Sequence, residues 1–341
     1  MAEDLTTPDP APILDLLEAF RRSKVMFAAI ALGVFDRLAA GPAALPTLAA
    51  DLKANADALE RLLDACVGLG LLQRDGAAYT NTATAATYLS MESPRRITGY
   101  LNYSNDVLWK LWAHLEDAVR EGSHRWRQVF DWDGPIFASF FHTDEAKREF
   151  LMGMHGFGLI SSPAVAAAFD LSRFRRMVDL GGATGHLVVE ACRQNASLRG
   201  VVFDLPGVVA VAREKVQETD VAERIEVIEG DFFTDPLPDG DLFAVGRILH
   251  DWSEHKIQLL LRKIYNRSPQ GGALLVAEKL LDDDKTGPGW AHLQSLNMLV
   301  CTEGKERTLG EYAALLKAAG FSRVEGRRTN SPLDAVLAVK G

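Results

Sequence analysis

Cysteine is scarce: Cys66, Cys192 and Cys301 are the only three in 341 residues. They stand far apart and are odd in number, so they build neither a disulfide framework nor a zinc knuckle, and a reducing compartment suits them best. Long hydrophobic runs are also missing. The longest, Val25 to Phe35, falls well short of the ~20 residues that span a bilayer. The opening MAEDLTTPDPAP is acidic and Pro-rich, where a signal peptide is basic and then apolar. Together these absences predict a cytoplasmic protein with no membrane partner. Positive charge is outnumbered as well, 37 Lys and Arg against 46 Asp and Glu, for a net charge of -9. Such a chain repels a phosphate backbone, and Arg173, Arg175 and Arg176 are too few to reverse that locally. Glycine (28) and proline (14) are near ordinary abundance, which excludes collagen-like, disordered and mucin-like chains.

What is present is globular: 48% hydrophobic and 24% charged residues, with length enough for two domains at ~150 residues each. The first half reads as helices. Ile13 to Phe20, Val25 to Leu38 and Leu59 to Leu72 carry apolar residues at three- and four-residue spacing, with Gly33, Gly41 and Gly70 punctuating their ends. Leu45 to Leu52 adds a short helix, and a small hairpin turns at Asp75-Gly76. Helices followed by a hairpin make a winged-helix arrangement. Its wing region, Leu59 to Thr82, sets only Arg61 and Arg74 against Glu60, Asp64 and Asp75, so a nucleic-acid partner is not expected. A further helix from Leu101 to Ala118 carries Leu108, Leu111, Trp112 and Leu115, and Trp126, Phe130, Trp132, Phe137, Phe140 and Phe141 follow. An aromatic stripe of this kind packs a core or a subunit interface first of all, and its place ahead of the second domain also lets it wall a pocket.

The second half changes rhythm. Short apolar runs at 177–180, 200–204, 225–231, 242–247 and 273–280 alternate with amphipathic helices, which predicts an α/β domain with a mostly parallel sheet covered on both faces. A helix opens at Ser253, another carries a capping box of Thr308 with Glu311 and stops at Gly320, and Val324–Thr329 with Ala335–Val339 add an antiparallel edge hairpin. The domain reading is therefore 1–100 helical and winged-helix-like, 101–170 a helical connector and pocket wall, and 171–341 the α/β domain.

The first strand of that domain runs into Asp179-Leu180-Gly181-Gly182-Ala183-Thr184-Gly185-His186. Glycines at a strand-to-helix turn let the backbone approach a ligand, although a tight turn needs glycine too, and the spacing is not the GxGxxG of a dinucleotide site. Asp204 ends the second strand, where a carboxylate can hold a ribose diol, and Asp231-Phe232 follows the third, an acceptor beside an aromatic plane. Three such features at the carboxyl ends of successive strands point to one adenosine-bearing ligand.

The runs "VDLGGATG", "FDLPGVV", "EGDFF", "RILHDWSEHK", "GGALLVAEKLL" and "LNMLVCTEGKERT" resemble S-adenosylmethionine-dependent O-methyltransferases of the plant caffeate type, and most closely the animal acetylserotonin branch. The resemblance implies a Rossmann-like methyltransferase domain with a seven-stranded sheet, preceded by a winged-helix-like dimerisation domain, and a homodimer formed through helices such as "FAAIALGVFDRL". It also implies S-adenosyl-L-methionine as cofactor, a small aromatic hydroxyl compound as acceptor and no metal. By the same resemblance Gly181, Gly182 and Gly185 pass the methionine part, Asp204 the ribose, Asp231 and Phe232 the adenine, and Arg247 lies near the cofactor. His250 matches the general base, Glu278 and Glu306 the acids flanking it, and Asp251, Asn297, Trp252, Met298 and Cys301 the acceptor pocket. Cys301 also reads as a small buried hydrophobe. Ala183 stands where that family usually has glycine, which adds a Cβ where a positive φ is expected. The alternative function is a relative that binds the cofactor without methylating.

Overall fold

The computed structural model describes residues 8–134 and 143–341. Phe137, Phe140 and Phe141 lie outside the described residues. The chain divides into two compact units, Met1–Asn105 and Asp106–Gly341.

In the first unit α1 (Ala11–Ala31) runs on where the sequence predicts two helices. The polar residues between them are good helix formers and pair along the exposed face, Arg22 with Asp15 and Arg21 with Glu18, each at 2.8 Å. The break comes instead at Gly33, whose φ of +76° starts α2 (Val34–Ala39). Then come β1 (Ala43–Ala44), α3 (Leu45–Asp51), α4 (Ala56–Gly68), β2 (Leu72–Asp75), β3 (Ala78–Asn81), α5 (Ala83–Tyr88) and α6 (Thr98–Tyr103). The hairpin forms as expected, and β1 extends it to a three-stranded antiparallel wing of order β1-β3-β2. In the apolar run Val25 to Phe35, expected at a partner's surface, Phe27, Ala29, Val34 and Phe35 are buried and Leu32 is exposed. Ile13, Leu14, Leu16, Leu17 and Phe20, one turn or more earlier on α1, form a cluster of exposed apolar side chains.

The second unit opens with a π turn (Ser104–Leu108), α7 (Trp109–Trp112) and α8 (Leu115–Glu121), so the helix expected from Leu101 to Ala118 is interrupted. The wide turn and the break at Ala113-His114 let both short helices pack on residues 289–301. Next are α9 (Trp126–Phe130), α10 (Asp144–Ala166), β4 (Arg176–Leu180), α11 (His186–Gln194), β5 (Arg199–Asp204), α12 (Pro206–Gln217), β6 (Ile225–Glu229), β7 (Leu242–Gly246) and α13 (Glu254–Arg267). The chain ends through β8 (Ala273–Glu278), β9 (Leu280–Leu281), α14 (Gly289–Cys301), β10 (Arg307–Thr308), α15 (Leu309–Ala319), β11 (Arg323–Arg327) and β12 (Asp334–Val339). Seven strands make one sheet of order β11-β12-β8-β7-β4-β5-β6, in which β12 alone runs antiparallel to its neighbours β8 and β11. Burial on both faces explains the unbroken apolar strands: along β8, Ala273, Leu275 and Ala277 face one core and Leu274 and Val276 the other. The strand order reverses between β4 and β7, and the carboxyl ends beside that reversal form the crevice where such sheets bind ligands.

Candidate functional site

The glycine turn after β4 lies in that crevice. Gly181 has φ +67°, and a Cβ there would meet Ile248 Cδ1 at 2.5 Å and Phe232 Cε1 at 3.3 Å, so only a bare backbone fits beside the aromatic plane. Gly182 packs on the Asp179 carboxylate, and Gly185 begins α11 in the left-handed region. Ala183 adopts the positive φ expected of that position, +49°, and its N–H donates to Asp204 Oδ2 at 2.8 Å. Leu205 N–H donates to Asp204 Oδ1 at 2.7 Å. Each carboxylate oxygen keeps a lone pair for a further donor. Burial pushes Asp204 up to about 6 against those two amides, and pushes Asp179, with the Asp204 charge adding, up to about 7. After β6, Asp231 Oδ1 accepts Phe233 N–H at 2.7 Å, which closes the turn that presents Phe232. A bare backbone beside an aromatic ring and a carboxylate with free lone pairs fit an adenosine-bearing cofactor.

His250 lies one turn past β7, in a 3-10 turn, and is buried. Its Nδ1 is 2.6 Å from Glu306 Oε1 and 3.3 Å from Glu278 Oε2. Glu278, the last residue of β8, is aimed by Ile248 and Leu249 N–H, which donate to its Oε1 at 3.0 and 2.9 Å. Burial disfavours the imidazolium, but Glu278, Glu306 and Asp251 outweigh it and raise His250 to about 10. Burial likewise lifts Glu278 to about 7. One atom from each of His250, Glu278 and Glu306 lies within 4.8 Å of the others. The 2.6 Å contact between His250 Nδ1 and Glu306 Oε1 is that of a charge-assisted hydrogen bond. His250 Nε2 faces the other way, 3.8 Å from Asp251 Oδ1.

Asn297, Met298 and Cys301 share α14 and are buried. Trp112 Nε1 donates to Asn297 Oδ1 at 2.9 Å. Indole N–H is only a donor, so this bond sets the amide with its NH2 outward. Trp126 Nε1 donates to Cys301 O at 2.8 Å, and Cys301 Sγ donates to Asn297 O at 2.7 Å. The aromatic stretch thus holds the helix that carries Asn297. Trp252 sets its ring edge-on to Phe233, 5.0 Å between centroids, and joins the histidine turn to the Phe232 side. Arg247, in the left-handed region at φ +56°, places its guanidinium 5.4 Å from the Phe157 ring centre. Sequence reasoning missed the positioning part of Trp112, which it read as packing, and missed Gly304. A Cβ at Gly304 would come 2.0 Å from His250 O, and the only sequence signal was a glycine between two acids in "TEGKE".

A family model described as an O-methyltransferase domain matches residues 112–322, and one described as an O-methyltransferase dimerisation domain matches residues 14–91. Acetylserotonin O-methyltransferase of Gallus gallus is 41% identical over 99% of both chains. The solved structure of human N-acetylserotonin methyltransferase in complex with SAM superimposes with a TM-score of 0.91 at 40% identity, over 98% of this chain and 99% of that one. Mitomycin 7-O-methyltransferase aligns with a TM-score of 0.84 at 26% identity, over 97% of each chain.

Proposed function

Because this chain belongs to the S-adenosylmethionine-dependent O-methyltransferases, we propose that it methylates a hydroxyl of a small aromatic acceptor, a hydroxyindole first of all, with His250 as general base. Gly181, Gly182 and Gly185 would border the methionine part of the cofactor, Asp204 its ribose, Asp231 and Phe232 its adenine, with Arg247 close by. S-adenosylmethionine supplies, when bound, an electrophilic methyl on a sulfonium. What remains for the chain is to align the hydroxyl and remove its proton. The observation that carries the assignment is the division of the imidazole: Nδ1 is held by Glu306 at 2.6 Å with Glu278 beside it, and Nε2 is left toward Asp251. Carboxylates on Nδ1 fix the tautomer and stabilise the imidazolium that forms. Asp251 and Asn297 would orient the acceptor by accepting and donating hydrogen bonds, and Trp252, Met298 and Cys301 would line its pocket. The hydroxyindole reading is supported by the 41% identical Gallus gallus relative.

The same reading makes the enzyme a homodimer, supported by the dimerisation-domain match and the exposed apolar face of α1. Its placement in the cytoplasm is supported by three buried, unpaired thiols, and among the described residues no helix is long and apolar enough to cross a membrane. The test is His250→Ala with S-adenosylmethionine and a hydroxyindole. General-base loss lowers kcat by ~10²–10⁴-fold while calorimetry shows cofactor affinity unchanged, Glu278→Gln and Glu306→Gln cost less, and EDTA leaves the wild-type rate as it was. Near-wild-type turnover by the alanine variant would remove His250 from this role and favour an acceptor whose hydroxyl is already ionised, whereas a wild type that binds S-adenosylmethionine and methylates no hydroxyl compound would favour a relative that binds the cofactor for another purpose.

A further inference from the structure

Behind the imidazole lies a second buried group that the mechanism above does not use. Arg307 and Tyr312 are 1% and 0% exposed, and the guanidinium carbon is 6.0 Å from the Tyr312 ring centre. Four buried polar atoms here have no hydrogen-bond partner: Arg307 Nε and the Tyr312 hydroxyl, which donate, and Glu278 Oε2 and Glu306 Oε2, which accept. The Tyr312 phenol is held well above its ordinary value by burial first and then by the charges of Glu278 and Glu306, with the Arg307 guanidinium opposing them, so the four side chains share one electrostatic neighbourhood. Arg307 also reaches the histidine turn through the backbone. Its NH1 donates to Leu249 O at 3.5 Å, while Leu249 N–H donates to Glu278, so guanidinium and carboxylate grip opposite sides of the residue before His250.

We propose that Arg307 and Tyr312 are positioning residues for the methyl transfer, their buried donors set against the Glu278 and Glu306 carboxylates so that both stay aimed at His250 Nδ1. The proposal rests on His250 being the base. Two carboxylates facing a single N–H repel each other in a low-dielectric pocket, and a buried cation with a phenol donor relieves that repulsion. The charged and titratable groups around His250 are Arg247 and Asp251 on its own turn, Glu278 on β8, Cys301 on α14, Glu306 and Arg307 on the segment entering β10, and Tyr312 on α15. Without Arg307 or the Tyr312 hydroxyl the carboxylates hold the imidazolium harder, and the neutral base is reached only at higher pH.

The experiment is the pH profile of kcat, with acceptor KM, cofactor affinity and melting temperature, for Tyr312→Phe, Arg307→Gln, Arg307→Lys and His250→Ala. Expected are a fall in kcat of about tenfold for Tyr312→Phe, within the usual coupling inside one buried polar network, a larger fall for Arg307→Gln, and an acid limb moved upward by about half a pH unit or more in both. KM and cofactor affinity stay within about twofold, and Arg307→Lys returns the limb toward wild type. If Arg307→Gln does not fold, Tyr312→Phe decides alone, since it removes a single oxygen. An unmoved acid limb in folded Tyr312→Phe, or a loss equal at every pH and shared by KM, overturns the proposal. Should His250→Ala keep its turnover, the base assignment itself fails; should it be inactive while Tyr312→Phe matches wild type, only the positioning pair is refuted.

Discussion

Ala183 is held at φ +49°, a region that costs an L-residue ~1–2 kcal/mol. Its methyl is packed against Leu151, Val208 and Val211, worth ~0.8 kcal/mol, and glycine would add ~0.5–1 kcal/mol of unfolded-chain entropy. These terms nearly cancel. Ala183→Gly is therefore expected to shift the melting temperature by no more than ~2–4 °C and to leave cofactor affinity within about threefold, because the N–H to Asp204 survives; calorimetry showing tenfold tighter binding would mean that the methyl encroaches on the cofactor. Titration gives a second expectation at this scale. Asp179 at about 7 and Asp204 at about 6 hold protons more tightly folded than unfolded, so stability is lost as pH rises from ~4 through those values. His250, raised to about 10, adds stability that is complete below ~6.5 and is lost as pH rises from there through about 10. The unliganded protein should melt at progressively lower temperature from pH 7 to 10, and His250→Ala should flatten that slope in a differential scan.

Among the elements, the shortest decide the site. The β8 run predicted to reach residue 280 ends at Glu278, and β9 swings away to pair in parallel with β10, Leu280 with Arg307 and Leu281 with Thr308. That bridge brings Glu278 and Glu306, each just before it, to the same imidazole. Asp334 and Arg328 secure it: Asp334 Oδ2 accepts Leu280 N–H at 3.1 Å and Arg328 NH1 at 2.9 Å, and Arg328 donates to the carbonyls of Leu280 and Leu281. The segment between α14 and β10 crosses His250 at Gly304 without room for a methyl. Gly304→Ala must displace one backbone from the other, so it is expected to lower kcat by at least ~10²-fold, the size of a 1 Å misplacement at a reacting group, with cofactor affinity little changed. A variant with unaltered kcat would show that the segment yields freely.

On the scale of the whole molecule, an acidic chain with a net charge of -9 carries exposed Ile13, Leu14, Leu16, Leu17 and Phe20 on α1. Apolar groups clustered in this way mark an interaction surface, and the dimerisation-domain match spans all of them but Ile13. The first turns of α1 are therefore the proposed partner-facing surface, while Ala29, Val34 and Phe35 belong to the unit's own core. Leu14→Glu with Leu17→Glu should shift light scattering from about twice to about once the 37.3 kDa chain mass, since each buried leucine is worth ~1.5–3 kcal/mol; a double variant that still scatters as a dimer would move the interface elsewhere.

Local signals were enough for the alternating strands and helices, the wing hairpin, the Thr308–Glu311 capping box, and the placement of Gly181, Asp204, Asp231 and His250 at the carboxyl ends of strands. Each depends on periodicity, turn chemistry or a strand's carboxyl end, which a few neighbouring residues determine. Tertiary structure alone decided that α1 runs on through Arg21 to Lys24, that the Leu101–Ala118 helix breaks, and which residues hold the catalytic candidates. Trp112 and Asn297 are 185 positions apart, and His250 and Glu306 are 56 apart. Such pairs meet only after the sheet has formed and short elements such as β9 and β10 have been drawn across its end. A tryptophan then reads as packing until its N–H has a partner, and a glycine as a loop residue until another backbone passes beside it.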